Sequence, residues 1–326
     1  GYGFNWKSFE DSKFLASLLK EKVLVRFNKK KLTNNKNAWD LGSIFILKGD
    51  NNHIKETLVS TVDSLAKKFN RTLIEINSGY SDSGVDLGSQ DVKMIKKLNV
   101  GIIGGSGVSP YNYGEIWYFF EKQLKYPVTQ IPEDKLSEAL KSINTLILPS
   151  GSYSLFKSKE TIKLLIEWIK SGGKIISIGR SIDMLTKNKI FTINKKSNDL
   201  KKDPLISYNK SQRNNISNNI TGSIYRVNTD PSHFLNYGLD LYYTLKLSSD
   251  SYDFLEKGHN AGYLPENAQP SSGFVGSNVK DFQKNSLVFG EQKLGKGSII
   301  YFVDNPLFRG FWYSGKILFS NALFFR

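Results

Sequence analysis

Apolar and polar residues alternate along the chain in segments of two kinds. Residues 8–20 and 51–69 carry apolar side chains at helical spacing, which predicts two amphipathic helices. Short apolar runs at 22–27, 43–47 and 73–76 predict strands. Helices that alternate with short apolar strands are typical of a mostly parallel α/β sheet, so we expect one in this first part of the chain.

A second series of strands and helices begins near residue 99. The predicted strands are 99–103, 128–131, 146–148, 174–178, 223–227, 242–246, 287–289 and 298–303, and the predicted helices are 113–124, 159–170 and 314–325. The segment 77–91 is rich in Ser, Gly and Asp, which indicates a boundary between an N-terminal α/β segment, 1–90, and a main domain, 91–326. The Lys-, Asn- and Ser-rich residues 187–220 predict an irregular insertion.

One strand of the second series ends at the turn where many α/β enzymes carry a nucleophile. The run 174–178 is followed by Gly179, Arg180 and Ser181, so glycine occupies the critical position. The whole chain contains no cysteine. Disulfides, cysteine zinc sites and a thiol nucleophile are therefore excluded. We expect this elbow to be retained as a turn without its chemistry.

Charge and hydropathy narrow the function classes. The 45 Lys and Arg against 30 Asp and Glu give a net charge of +15, which invites a nucleic-acid interpretation. The lysines are nevertheless scattered among asparagines, and the densest runs are only 29–31, 195–196 and 201–202. We therefore expect a solvated surface and no nucleic-acid partner. No apolar run approaches the roughly 20 residues that span a bilayer.

Two short motifs resemble ligand sites without meeting their full requirements. Residues 104–109 form a glycine-rich loop after a strand, but their spacing fits neither the dinucleotide fingerprint nor the P-loop. His53 and Glu56 match half of a zinc site, but they lack a third ligand nearby. We expect the glycines to serve a sharp turn and Glu56 to favour the positive end of a helix dipole.

A serine triad is a further alternative. Ser152 or Ser177 could be combined with His233 and Asp230, but the chain has no Gly-x-Ser-x-Gly elbow. Asp230 precedes a proline, which indicates a turn, so we expect His233 to bond to the backbone there. A hydrolase that uses an oxygen nucleophile near the elbow, Ser181 or Ser152, stays open as an alternative.

The densest aromatic patch is 304–312, which follows a strong predicted strand. Arg309 among aromatic rings can stack on them and pair with a carboxylate or phosphate, or it can brace an interface. The candidate ligand-binding residues of the chain are Glu115, His233, Arg309, Phe311 and Trp312.

Several motifs resemble the C-terminal region of large bacterial zinc carboxypeptidases of the carboxypeptidase A-like family. They are 2–6, 86–89, 100–105, 113–117, 126–129, 230–238, 305–312 and 318–325. The resemblance implies a class I glutamine amidotransferase-like domain, with a flavodoxin-like parallel sheet and helices on both faces, preceded by a smaller α/β segment. It also implies an upstream peptidase domain that holds zinc and the general-base glutamate, in a secreted or periplasmic protein.

The departures from amidotransferases define the expected function. Gly179 stands in the region of the nucleophilic cysteine, and 304–306 reads Asp-Asn-Pro where amidotransferases have His-Pro-Glu. The resemblance thus implies a non-catalytic accessory domain without metal or cofactor, whose partner is the peptidase domain of the same polypeptide. The chain lacks an initiator Met and a signal peptide, so we expect a processed product or a piece of a longer protein. The alternatives are a peptide- or glycan-binding module that uses Arg309 and Trp312, and a serine hydrolase.

Overall fold

A computed structural model describes residues 1–197 and 207–326; the part of the predicted insertion at 198–206 lies outside the described residues. The first part of the chain forms short strands and two α-helices. These elements are β1 (Tyr2–Phe4), α1 (Phe9–Lys20), β2 (Arg26–Asn28), β3 (Leu32–Asn34), β4 (Asn37–Trp39), β5 (Ile44–Ile46), α2 (Leu58–Lys68), β6 (Ile74–Glu75), β7 (Ser83–Gly84) and β8 (Val92–Met94).

The expectation of a mostly parallel sheet in this first part is wrong. The described strands form a sheet in the order β6-β1-β5-β2-β8 in which every pairing is antiparallel, beside a small antiparallel sheet β4-β3-β7. Helix α1 does connect two strands that run in the same direction, β1 and β2. Strand β5 lies between them and runs the opposite way, and helix–strand alternation in a sequence does not reveal such an insertion.

The helix predicted over 51–69 begins later than its apolar spacing indicates. A 3-10 segment covers Lys48–Ile54, and the α-helix starts only at Leu58. Asn51 explains the delay: its buried side chain accepts from the Leu24 amide and donates to the carbonyls of Leu24 and Leu47. A side chain that bonds the backbone of a neighbouring segment competes with helix formation.

The second part of the chain forms one large mixed sheet and its helices. Its elements are β9 (Val100–Gly104), α3 (Pro110–Tyr118), β10 (Thr129–Pro132), α4 (Leu136–Ala139), β11 (Thr145–Leu148), α5 (Lys159–Ser171), β12 (Lys174–Ile178), α6 (Ile182–Leu185), α7 (Tyr208–Ser217), β13 (Ile220–Thr229), β14 (Tyr242–Lys246), β15 (His259–Leu264), β16 (Pro270–Val275), β17 (Ser286–Leu294), β18 (Gly297–Phe302) and α8 (Tyr313–Phe324). Helix α3 continues as a π-helical turn, Phe119–Leu124.

The large sheet confirms the predicted fold class. Its order is β10-β9-β11-β12-β18-β17-β15-β13-β14, with β16 paired to β13, and the strands from β10 to β18 in this order are parallel. Every residue of β12 is buried, as is typical of a parallel strand covered on both sides. Helices α3 and α8 cover one face and α4, α5 and α6 cover the other.

The remaining strands of the sheet are antiparallel, and two of them were not predicted. Strands β17, β15, β13 and β14 extend the sheet beyond β18, and β15 and β16 lie in segments without a clear apolar run. In β16 four of six residues are exposed, so its sequence does not show the alternation of apolar and polar residues that predicts a strand. Across the described residues, no helix is long and apolar enough to cross a membrane.

A buried amide joins three distant parts of the chain. Asn321 in α8 accepts a hydrogen bond from Trp6 Nε1 at 2.7 Å and donates to the carbonyls of Leu235 and Tyr237 at 2.9 and 2.8 Å. Its side chain is fully buried. Because these groups cannot reach water, the amide fixes how the N-terminal segment and the turn after β13 pack on α8.

The fold predicts that Asn321→Leu destabilises the protein by about 3 kcal/mol or more, because one buried donor and two buried acceptors lose their partner. The measurement is the free energy of unfolding in urea. Asn52→Leu, at an exposed position, is the control and is expected to change it little. Equal stabilities of the two variants would contradict the role given to this amide.

Candidate functional site

The elbow after β12 is a tight turn that glycine makes possible. Gly179 has φ +58° and opens a 3-10 turn that ends at Ser181. A Cβ at this position would lie 2.9 Å from Ser150 Oγ, closer than real Cβ contacts. The elbow is thus built around the absence of a side chain at the position where a nucleophile would stand.

The serine hydroxyls around the elbow serve the backbone. Ser181 Oγ bonds the carbonyls of Leu148 and Ile178 and accepts from the Ile178 amide, and it lies 2.6 Å from Ser177 Oγ. Both Ser177 and Ser181 are fully buried. Ser152 is exposed, but it does not line the cavity beside the elbow.

The structure does not bring His233 to these serines. His233 follows β13 and its ring lies 5.5 Å from that of His259, where β15 begins. Strands β18 and β17 lie between β12 and β15, so three strand spacings of about 4.8 Å each separate His259 from β12. His233 Nδ1 accepts from the Leu235 amide, as expected for a histidine in a turn. These residues therefore do not form a Ser–His–Asp triad.

His233 instead faces a buried carboxylate. Its Nε2 lies 3.4 Å from Glu291 Oε2, and Glu291 is 3% exposed. Burial by itself raises the pKa of Glu291, but the interactions with His233, Ser298 and Lys293 outweigh it and hold the pKa below its usual value. This pair lies on the antiparallel part of the sheet, away from the elbow.

The feature at the elbow is a cavity of about 580 Å³ at the carboxyl ends of the parallel strands. Ser150 follows β11, Gly179 and Arg180 follow β12, and Asp304 and Arg309 follow β18. The end of β14 adds apolar wall at Leu245 and Leu247. Parallel α/β sheets bind ligands at this edge, so the cavity is the candidate site.

Glu115 supports one wall of this cavity. Its Oε1 accepts from the backbone amide of Arg309 at 2.7 Å, and its Oε2 accepts from the side-chain amide of Asn305. Arg309 has φ +48°, a left-handed conformation that is rare for residues other than glycine. The carboxylate of Glu115 therefore holds a strained loop in place.

The other carboxylates of the cavity are paired. Asp304 accepts from Thr244 Oγ1 at 2.9 Å and lies 3.4 Å from the buried Lys246 Nζ. Asp250 lies 2.7 Å from Lys195 Nζ. Burial lowers the pKa of Lys195, but its hydrogen bonds to Asp250 and Asp183 outweigh that effect and raise it.

The two arginines of the cavity are not paired. Within 1–197 and 207–326, neither the Arg180 nor the Arg309 guanidinium has a hydrogen bond or an ion pair, and both residues are exposed. The Arg309 guanidinium lies 5.1 Å from the centre of the Phe308 ring. The cavity thus offers unused cationic donors.

The remaining candidates lie outside this cavity. Phe311 is 60% exposed on the loop after β18, and Trp312 Nε1 donates to the carbonyl of Tyr243 at 2.9 Å, so neither ring lines the cavity wall. Their role as ligand-binding residues stays a prediction. From the sequence, Arg180 was named only as part of the elbow and Asp304 only as a departure from His-Pro-Glu; their positions just after predicted strands were the signal for a place in the cavity.

Two further sequence motifs do not form the sites that they resemble. In the loop 104–109, Gly105 lies against Glu133, whose carboxylate would repel a phosphate. His53 Nε2 bonds the carbonyl of Lys22, and His53 and Glu56 do not share an α-helix, so these residues do not fit a zinc ion. Across the described part of the chain, no group of three His, Asp or Glu side chains could hold a metal ion.

No family model and no curated protein matches the chain. Solved structures match it at low identity, as follows. A protein assigned as a GMP synthase component from Thermoplasma acidophilum has 12% identity and a TM-score of 0.43 over 69% of this chain and 92% of that chain. A ThuA-like protein from Bacteroides uniformis has 10% identity and a TM-score of 0.42, over 69% of this chain and 89% of that chain. A glutamine amidotransferase from Thermotoga maritima has 11% identity and a TM-score of 0.39, over 64% of this chain and 76% of that chain.

These similarities are too weak to carry a functional argument, and the fold class stands on the sheet topology itself. The resemblance to zinc carboxypeptidases finds no support in them and stays a prediction from the sequence motifs.

The cavity wall gives a testable prediction at Glu115. In Glu115→Gln the new amide group must face one of two donors, the Arg309 amide or the Asn305 side chain, so we expect a loss of about 1–3 kcal/mol in unfolding free energy. Hydrogen exchange at residues 305–310 is expected to accelerate. Glu121→Gln on the exposed side of the following turn is the control. Unchanged exchange in Glu115→Gln would rule out its bracing role.

Glu291 predicts a pH dependence. A carboxylate with a lowered folded pKa stabilises the protein above its unfolded value, 4.5, and that contribution disappears as the pH falls through the folded pKa. The stability of the native protein relative to Glu291→Gln is therefore expected to be largest above pH 4.5 and to shrink in more acidic solution. Urea unfolding as a function of pH measures it, and a constant difference would contradict the pair's role.

Proposed function

We propose that this chain is a non-catalytic accessory domain in which the elbow cavity binds a ligand without transforming it. The observation that carries the proposal is the glycine elbow: Gly179 supplies no nucleophile, and its φ of +58° and its approach to Ser150 disfavour any other residue there. Covalent acyl transfer requires an activated nucleophile beside a base.

The serine alternative lacks its base. Ser150 lines the cavity, but its Oγ accepts from the backbone amide of Arg180, and within the described residues none of its hydrogen-bond partners is a basic side chain. No histidine lines the cavity as the described residues form it. Ser181 is buried and hydrogen-bonded to the backbone, so a substrate cannot reach it.

Binding, by contrast, needs only a concave site with a few directed polar groups. A volume of about 580 Å³ lies within the usual range of small-molecule sites, and the wall combines apolar side chains with two unpaired guanidinium groups. Glu115 holds one of these arginines in a defined position through its backbone. These properties support retention of the cavity as a recognition site.

We propose further that the domain accompanies a zinc carboxypeptidase domain in a secreted or periplasmic polypeptide, where it stabilises that domain or presents substrate to it. The support is the set of motifs that resemble the C-terminal region of such proteins. In the fold these motifs meet: Glu115 bonds the loop that contains Asn305, and Asn321 bonds Trp6 and the turn at Leu235. A zinc-carboxypeptidase domain encoded directly upstream of Gly1 would support this context, and a start codon there would end it.

The proposal predicts that no serine of the chain reacts with a fluorophosphonate probe and that amide and ester substrates are not turned over. The measurement is intact-mass analysis after incubation with the probe, beside a substrate screen on the native protein. Ser150→Ala and Ser152→Ala are the matched variants. Labelling or turnover that is lost in either variant would overturn the non-catalytic assignment and favour a serine hydrolase.

A further inference from the structure

In the part of the chain that the structure describes, the acidic side chains of the cavity are paired, whereas its arginine side chains are not. Its carboxylates already have partners: Glu115 holds the Arg309 loop, Asp304 pairs with Lys246, and Asp250 pairs with Lys195. Within the described residues, the guanidinium groups of Arg180 and Arg309 have none. Each arginine therefore keeps its fork of N–H donors free for an anion that enters the cavity.

The rest of the wall combines apolar side chains with neutral polar ones such as Ser109 and Ser248. Ile178 and Val303 contribute at the ends of parallel strands, Leu245 and Leu247 contribute at the end of β14, and Phe308 closes the side next to Arg309. Burial of an apolar group against this wall is favourable. The free donors and the apolar surface therefore lie in the same cavity and select a ligand that carries both features.

We infer that the cavity binds a terminal carboxylate that carries an adjacent apolar side chain, as at the C-terminus of a peptide. This inference rests on the proposed binding function and names its ligand class. The carboxylate pairs with Arg180 and Arg309, since guanidinium matches carboxylate geometry. The apolar side chain packs against the strand ends. No bond is made or broken.

Arg309 is prepared for this role before a ligand arrives. Its backbone is held in the left-handed region by the hydrogen bond to Glu115, and its guanidinium lies over the Phe308 ring. A side chain that is already positioned loses less entropy when it binds. Backbone strain at a cavity wall is a common feature of ligand sites.

A neutral glycan fits the same wall less well. Sugars are held by carboxylates that accept from hydroxyls and by open aromatic faces. Here the carboxylates are paired, and Arg309 occupies one face of Phe308. Trp312 donates to Tyr243 and does not line the cavity, so the exposed Tyr111 is the aromatic platform that remains for a sugar. The charge pattern therefore favours the carboxylate.

Isothermal titration calorimetry with matched probes tests the inference. The probes are acetyl-Ala-Ala-Phe as the free acid, the same peptide as its C-terminal amide, inorganic phosphate, and maltotriose. We expect the acid to bind about tenfold more tightly than the amide and than phosphate, because only the acid offers both the charge and the apolar side chain. Arg180→Gln and Arg309→Gln are expected to remove this preference.

Arg226→Gln is the control, because it removes the same charge from an exposed position on β13 outside the cavity. It should leave the affinity for the acid unchanged. Hydrogen exchange on addition of the acid should be slowed at residues 178–182 and 303–310, which locates the ligand at the elbow.

The possible failures are distinguishable. Equal binding of acid and amide, or binding of maltotriose or phosphate in place of the acid, would overturn the inference and leave a binding domain. No binding by any probe would also overturn the inference. Cleavage of the peptide, detected by mass spectrometry of the recovered ligand, would instead overturn the non-catalytic function on which the inference rests.

Discussion

The carboxylate of Glu115 is the interaction on which the candidate site depends. It joins α3, the helix that follows β9, to the loop after β18. The bonds are made to the backbone amide of Arg309 and to the side chain of Asn305. This acceptor helps to offset the strain of the left-handed backbone at Arg309. A carboxylate at the mouth of a cavity resembles a catalytic acid, but here its acceptor positions are occupied by the protein itself.

Under the proposed function, the elbow keeps the architecture of an active site without its chemistry. Ser181 fixes the turn by bonding Leu148 and Ile178, and Gly179 provides the backbone conformation. These interactions are all made by backbone and buried hydroxyl groups, so none of them needs a reactive side chain. The strand ends and the loop after β18 form the cavity beside the turn, so the cavity does not depend on a reactive side chain either. Recognition is the function that we propose for it.

Much of the fold was predictable because a strand that is buried on both faces consists mostly of apolar residues. The buried parallel strands β11, β12 and β18 appear in the sequence as largely apolar runs, and β12 was predicted with its observed limits, Lys174–Ile178. The antiparallel N-terminal sheet was not predictable, because the strand order depends on β5, which is inserted between β1 and β2 from elsewhere in the chain. Strand β16 failed for a different reason: most of its residues are exposed and carry no apolar period.

The site was less predictable than the fold, because its contacts join residues far apart in the chain. Glu115 was a candidate from its motif, but its bond to the Arg309 amide spans 194 positions and no local pattern encodes it. The sequence allowed His233 to be combined with a serine, but in the sheet β18 and β17 separate β12 from β15, and His233 lies beside the first residue of β15. The pairing of Asp304 with Lys246, which leaves the arginines as the free charges, likewise becomes visible only in three dimensions.

A crystal structure of the protein with acetyl-Ala-Ala-Phe tests the central claim most directly, since it shows both where the ligand lies and whether it is intact. We expect an uncleaved peptide in the elbow cavity, with its carboxylate between Arg180 and Arg309 and no covalent bond to the protein. An acyl group bonded to Ser150, or a peptide bound elsewhere with the cavity empty, would contradict the claim that the elbow has become a recognition site.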